Sequence, residues 1–253
     1  QVSYLPFGPM TSLRYANGRK LRKQYDRNYQ VDWVRGTPRG LDLDYDLDAL
    51  DHITRIGTGR EVRRYAYDGL GRLTQVRDAA DHALMRYAYD ATGNRLSAQS
   101  GKAMPQTYAY ADDSHRLLSV HGALRSYDAA GNTLQDGYRR MEYDARNRLT
   151  HIDAGGTTQS NQYNGKGERV SKTLRSAAGS RTTLFLYDEA GHLLGEYTPD
   201  GRALAEYVWL DDAPVALFQN GELAYIETDH LNTPRAVIDP QRNIAIWLWD
   251  LHT

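Results

Sequence analysis

Two acidic pairs, Asp112-Asp113 and Asp211-Asp212, and eight histidines at positions 52, 82, 115, 121, 151, 192, 230 and 252 are the residues whose types could carry chemistry. Two carboxylates in one cleft can divide acid and base work between them. Adjacent residues on a strand point to opposite faces, however, so both pairs read as turn or edge residues. The histidines show neither His-x-x-x-His nor His-Glu-x-x-His spacing, the arrangements that set two ligands on one metal ion. His115 and His192 fall in turn clusters, where solvation accounts for them. His230 lies in the segment Asp229 to Arg235 and reads as a structural turn residue.

Cysteine is absent from the 253 residues, which excludes disulfides, thiolate metal sites and cysteine nucleophiles. The chain also lacks a Gly-x-Ser-x-Gly elbow and a Gly-x-x-x-x-Gly-Lys loop, and Gly57-Thr58-Gly59 has no third glycine for a dinucleotide fingerprint. Lys and Arg number 31 against 32 Asp and Glu, and the net charge of −1 removes the usual electrostatic case for nucleic acid or an anionic membrane. No apolar run approaches the roughly 20 residues of a membrane span, and no signal-like segment follows Gln1. No catalytic, cofactor-binding or metal-binding residue is assigned on these grounds, and no cofactor is expected.

The elements that hold these residues are set by a repeat. Tyr-Asp recurs at Tyr25-Asp26, Tyr45-Asp46, Tyr67-Asp68, Tyr89-Asp90, Tyr127-Asp128, Tyr143-Asp144 and Tyr187-Asp188, with degenerate copies at Tyr110-Ala111-Asp112 and Tyr163-Asn164, at intervals between 16 and 24 residues. A turn cluster and a basic-apolar pair follow, as in Gly71-Arg72-Leu73, Asn94-Arg95-Leu96 and Asn147-Arg148-Leu149. Gly and Asn tolerate the positive φ of tight turns, and an Asp before the turn can accept backbone amides two residues on. In Arg63-Arg64-Tyr65-Ala66-Tyr67 the tyrosines fall two apart and share one face of a strand. No helical stripe competes. The repeat therefore predicts an all-β chain of consecutive hairpins, with strands of roughly 6 to 8 residues that add edge to edge into one long coiling sheet.

With 19 Tyr against 3 Phe and 40% apolar residues, the composition suits a thin sheet with hydrated faces, not a thick core. Arg at the turn exit is placed to reach the Asp of its own or a neighbouring hairpin, where an exposed pair contributes about 0–1 kcal/mol and sets register more than stability. Stacked tyrosines could also bind sugars, but their recurrence in every hairpin is explained by packing. Near the end, Ala236-Val237-Ile238 and Ile244-Ala245-Ile246-Trp247-Leu248-Trp249 form an apolar hairpin that needs covering. Gln1 to Phe7 and Ile244 to Trp249 are strand-like ends, expected to leave edges through which the chain self-associates or takes a partner.

Tyr-Asp, a turn with Gly or Asn, and Arg-Leu at this interval resemble the YD-repeat, or Rhs, family over nearly the whole chain from Tyr15-Ala16-Asn17-Gly18-Arg19 onward. Tyr4-Leu5-Pro6-Phe7-Gly8-Pro9 resembles a segment common inside Rhs arrays. Asp229-His230-Leu231-Asn232-Thr233-Pro234-Arg235 is similar to the signature opening the Rhs-associated core, with Asn232 where the family has Gly, and Asp229, His230, Pro234 and Arg235 are its matching positions. The resemblance implies a repeat array over 1–228 and the start of the core region over 229–253. It further implies a hollow sheet that encloses a C-terminal toxin, in company with polymorphic toxins, type VI secretion effectors, insecticidal toxin-complex C components and, more distantly, teneurins.

Expected partners are that toxin domain and the remaining shell, with a secretion apparatus or an immunity protein complex beyond them, and no nucleic acid. Expected origin is a bacterial cytoplasm, followed by secretion or surface delivery for competition between bacteria. The family's self-cleaving Asp-Pro-x-Gly-Leu motif is not matched, because Asp239-Pro240-Gln241-Arg242 lacks the Gly. The chain is thus expected to be a non-enzymatic shell segment without the cleavage site or the toxin. An extracellular carbohydrate-binding or adhesive array on the Tyr ladders is the alternative.

Overall fold

The computed structural model describes residues 1–249, in which 25 strands and no helix occur. They belong to one sheet, and strands adjacent in sequence pair antiparallel, as Val62–Tyr67 does with Leu73–Arg77 and Arg169–Ser176 with Gly179–Tyr187. Strand lengths run from three residues at Val2–Tyr4 to nine at Gly179–Tyr187. The chain is all-β and belongs to the hairpin class that the repeat predicts.

The repeats draw on three local devices. The first is a register shift just before its tyrosine: Ala66 faces Gln75 and Tyr67 faces Leu73, so Thr74 is an extra residue on the returning strand. The same skip leaves Thr54 and Thr150 unmatched, and the hydroxyls of Thr54, Thr74 and Thr150 donate across to the carbonyls of Asp46, Ala66 and Glu142 at 3.0–3.1 Å. A bulge of this kind raises local twist without leaving the sheet.

The second device closes the turn. Asp68 Oδ1 accepts the amides of Leu70 and Arg72 at 2.9 and 3.0 Å, while its Oδ2 accepts Arg72 Nε at 2.7 Å. Asp144 repeats the pattern with Arg146 and Arg148. Asp90 and Asp128 use Asn94 and Asn132 as the side-chain donor, and Asp188 uses His192. In the turn 68–72 the residue three places after the Asp, Gly71, is left-handed with φ 74°. Glycine takes that conformation without a steric penalty.

The third device joins successive hairpins. The hydroxyls of Tyr67, Tyr127, Tyr143, Tyr163 and Tyr187 donate to the carbonyls of Ile53, Leu117, Thr133, Leu149 and Arg169 at 2.6–3.1 Å. These rings are half-buried, whereas the residue between paired tyrosines, such as Ala66 or Ala88, is exposed. The expected hydration of both faces is thus corrected to one: the tyrosine face is partly covered because its hydroxyls are spent on the neighbouring backbone.

Two compact units are present, Gln1–Arg86 with Tyr207–Thr253, and Tyr87–Glu206. In the first, Leu13, Leu21, Val34, Leu43 and Tyr45 pack with Tyr225, Ala236 and Ile238 as a buried core. In the second, buried positions include the polar Asn161, Ser171 and Thr183 beside Phe185 and Ala205. The last strand, Ile244–Leu248, pairs with Pro234–Asp239 and leaves Ile246 and Trp247 exposed, while Trp249 lies under the Arg235 guanidinium at 3.7 Å.

If the tyrosine hydroxyls carry register between hairpins, Tyr143→Phe should cost about 1 kcal/mol in urea unfolding, the net contribution of one hydrogen bond. A change indistinguishable from zero would mean that water serves the Thr133 carbonyl equally well.

Candidate functional site

The densest cluster of buried polar groups lies in the first unit, where the hairpins of residues 15–45 meet the strands Glu222–Thr228 and Pro234–Asp239. Its origin is a short turn, Tyr15-Ala16-Asn17-Gly18, which the Gly18 amide closes on the Tyr15 carbonyl and which Gly18 permits with φ 84°. That turn directs Arg19 inward. Arg19 Nε donates to Glu227 Oε1 at 2.7 Å, and neither side chain is exposed to solvent. Arg19 Nη1 donates to the Pro38 carbonyl and to Asn243 Oδ1, and Glu227 Oε2 accepts the Leu41 amide at 2.8 Å. Arg19 Nη2 is buried without a hydrogen bond.

Two glycines make room for this pair. A Cβ on Gly36 would stand 2.0 Å from Glu227 Oε2, and one on Gly40 would stand 2.0 Å from Arg19 Nη2. Above the pair, Tyr15 stacks on Tyr225 at 4.5 Å and donates its hydroxyl to the Ile226 carbonyl. Burial, with Glu227 nearby, pushes the Tyr15 phenol far above its ordinary range.

The segment Asp229 to Arg235 forms a turn of the repeat type. Asp229 Oδ1 accepts the amides of Leu231 and Thr233, and Oδ2 accepts Arg235 Nε at 2.7 Å. Asn232 is left-handed with φ 60°, as Asn tolerates in the Gly position. Pro234 opens the next strand opposite Thr228, and Arg235 is the bulge residue between the pairs Glu227–Ala236 and Thr228–Pro234. Lys23 Nζ donates to the Asp229 carbonyl at 2.6 Å and to Asn232 Oδ1 at 3.3 Å, and burial brings its pKa down to about 8 against the opposing pull of Asp229.

His230 meets the ring of Tyr45 edge-on at 4.9 Å, and its Nδ1 is buried without a hydrogen bond. The ring is therefore packed and not hydrogen-bonded in the turn. Burial lowers its pKa below 6.5; Asp229 pulls upward, and Lys23 and Arg235 push down.

The remaining residues singled out by sequence lie along the repeats. Tyr25 is half-buried, and Asp26 accepts the amides of Asn28 and Gln30. Tyr45 is buried, while Asp46 stays within a strand beside Arg55, and the turn there is capped by Asp48 two residues later. Tyr89 sits half-buried at the end of Ala83–Tyr89. Arg95 stands one place beyond the carboxylate partner Asn94; its guanidinium lies 4.5 Å over Tyr108 and donates to that hydroxyl. Asp112, Asp113, Asp211 and Asp212 lie in or beside turns, and Asp211 accepts the Tyr4 hydroxyl at 3.0 Å. His252 lies outside the described residues.

The capping aspartates are held as anions by the bonds that they accept. Arg148 and the turn amides keep Asp144 at about 2. For Asp90, burial works upward, and the donors of Asn94 and Thr92 outweigh it to hold the group at about 2. Such shifts can mark catalysis, but here every partner is part of the same turn. Among the described residues no group of three or more His, Asp or Glu is arranged to hold a metal ion. The Arg19–Glu227 pair, Lys23 and the bulge role of Arg235 had no sequence signal beyond the signature itself.

A family model described as "Teneurin YD-shell" matches residues 17–246. Among curated relatives, "Probable deoxyribonuclease RhsB" of Dickeya dadantii is 28% identical over 237 residues, covering 87% of this chain and 16% of the relative. "Double-stranded DNA deaminase toxin A" of Burkholderia cenocepacia is 27% identical over 186 residues, 60% of this chain and 13% of the relative. The chain thus spans 13–16% of the length of these relatives. Among solved structures, the Photorhabdus luminescens Tc holotoxin pore aligns over 99% of this chain and 17% of the other at 14% identity and a TM-score of 0.47. The TcdB2-TccC3 crystal structure aligns over 97% and 18% at 15% identity and a TM-score of 0.46.

Glu227→Gln should strand the Arg19 charge in the core and cost about 3–5 kcal/mol by chemical denaturation. A loss below about 1 kcal/mol would show that water reaches the site and that the pair is not a fastening. His230 has a depressed folded pKa, so its contribution to stability should be intact above pH 6.5 and decline as pH falls below it. His230→Gln should flatten the stability profile in that window, and an unchanged slope would assign the pH dependence elsewhere.

Proposed function

The chain belongs to the teneurin YD-shell family, and we propose that it is a wall segment of a shell that encloses a toxin domain within a longer bacterial polypeptide. Its role is structural and non-catalytic. The observation that carries this reading is the buried Arg19–Glu227 pair, which fastens hairpins near the start of the chain to strands 208 residues later. Containment needs a wall that stays fastened, whereas a ligand platform needs free polar groups. The hydroxyls of Tyr67, Tyr127, Tyr143, Tyr163 and Tyr187 are taken up by neighbouring carbonyls, which favours the wall over a carbohydrate-binding array.

The names of the relatives support a cargo of this kind: a nuclease or a DNA deaminase is of the class that a cell must sequester from its own genome. Physical enclosure does this without affinity for any one toxin sequence. Within this proposal, 1–228 is the repeat wall and 229–253 begins the core region, and secretion, delivery to competing bacteria and neutralisation by an immunity protein are functions of the longer polypeptide.

The test is made on the full-length polypeptide. Its toxin region should resist trypsin in the native protein and become cleavable when Arg19→Ala and Glu227→Ala together loosen the fastening, at a temperature where the repeats remain folded by circular dichroism. Equal cleavage in both proteins would reject enclosure.

A further inference from the structure

Five turns of the first unit lie side by side. Tyr29 donates its hydroxyl to the Pro6 carbonyl at 2.9 Å, tying the turn 26–30 to 5–9. A Cβ on Gly71 would stand 2.8 Å from His52 Nε2, so the turn 68–72 abuts 48–52. Lys23 and Tyr45 bring the turn 229–233 to the ends of the same strands. A groove of about 460 Å³ runs between 26–30 and 48–51, with Asp26, Asp32, Asp48 and Asp51 among its lining residues. Arg27 is the cationic side chain on those two turns, and His52 Nδ1 lies 3.1 Å from Asp48 Oδ2.

The tips of four of these turns carry large apolar side chains pointed at solvent: Phe7, Leu50, Leu70 and Leu231 are 112%, 76%, 73% and 73% exposed. In the second unit, the position two residues after the capping side chain holds Thr92, Ala130, Arg146, Lys166 and Ala190. The apolar tips are therefore not a requirement of the turn, which forms equally well without them.

Phe7 adds a backbone cost. It follows Pro6 in a turn closed by the Gly8 amide on the Leu5 carbonyl, and its φ is 54°. The second central position of a Pro-led turn with positive φ ordinarily holds Gly, and a bulky residue there is strained. The ring buries nothing within the chain to offset that strain. Tyr29, itself at φ 65°, lies against Gly8 and supports the turn that presents Phe7.

We propose that this edge is a docking surface for a polypeptide segment in which cationic and apolar side chains alternate. Phe7 supplies an aromatic side chain of the kind enriched at interfaces, the three leucines add apolar area, and the aspartate-lined groove selects positive charge between them. The inference stands whether or not the shell encloses a toxin.

The probe is a labelled peptide of alternating Lys and Leu, titrated against the folded chain by fluorescence anisotropy, with Lys-Ser and Glu-Leu peptides as comparisons. Saturable binding of the Lys-Leu peptide is expected, weakened at least tenfold by Phe7→Gly, Leu50→Ser, Leu70→Ser and Leu231→Ser combined. That variant should keep its Tm to within a few degrees, because Phe7 buries nothing and the three leucines are about three-quarters exposed. Asp32→Lys with Asp51→Asn, both on exposed positions and the second keeping a residue that tolerates φ 67°, should weaken binding separately. Equal binding of the Lys-Ser peptide, or unchanged affinity in both variants, would overturn the proposal. So would a preference for phosphatidylglycerol vesicles over the peptide, or concentration-dependent self-association in sedimentation, if either were lost in the tip variant.

Discussion

A sheet without a deep core must fix the register of each hairpin locally, and the carboxylate at the turn does so. Asp68, Asp90, Asp128, Asp144 and Asp188 each accept amides from the turn with one oxygen and a side chain at the turn exit with the other. A carboxylate that accepts several donors stays ionised well into acid. The cap thus fixes the loop length, the loop length fixes the left-handed position, and the following bulge sets the tyrosine against the preceding hairpin. Remove the Asp and three later features lose their reference point.

Fastening across long sequence separation obeys different energetics. A buried ion pair gives up the hydration of both charges, so Arg19 and Glu227 contribute less to net stability than apolar side chains of equal volume would. Their value lies in selectivity. Gly36 and Gly40 leave room for the pair, the Leu41 amide donates to the carboxylate, and the Pro38 carbonyl and Asn243 Oδ1 accept from the guanidinium. A pairing of hairpins that separated Arg19 from Glu227 inside the core would leave a charge buried alone, at a cost of about 3–5 kcal/mol.

The repeat and its hairpin class were legible because their determinants are local: Asp before a turn, Gly or Asn inside it, Tyr at alternating positions. Frame errors arose where two local signals competed. Tyr45-Asp46 has the repeat's letters, yet Leu47-Asp48 takes the turn, since Asp51 occupies the left-handed position three residues after Asp48. Arg95 has the turn-exit letters, but Asn94 stands at the fourth residue from Asp90 and takes its carboxylate. Arg19 and Glu227 carried no legible signal, because a buried charge is recognised only through a partner, and their partner is 208 residues away.

The distribution of tyrosine follows from the same economy of a thin sheet. Phenylalanine could cover the neighbouring hairpin, but it would leave the carbonyl beside the bulge to find water at the border of the packed face. The hydroxyl of Tyr163 reaches the Leu149 carbonyl at 2.8 Å, and that of Tyr127 reaches Leu117 at 2.6 Å. Each ring therefore supplies area and a directional bond at once. A directional bond transmits register from one hairpin to the next, which area alone does not, and at Tyr67, Tyr127, Tyr143, Tyr163 and Tyr187 phenylalanine could not supply it.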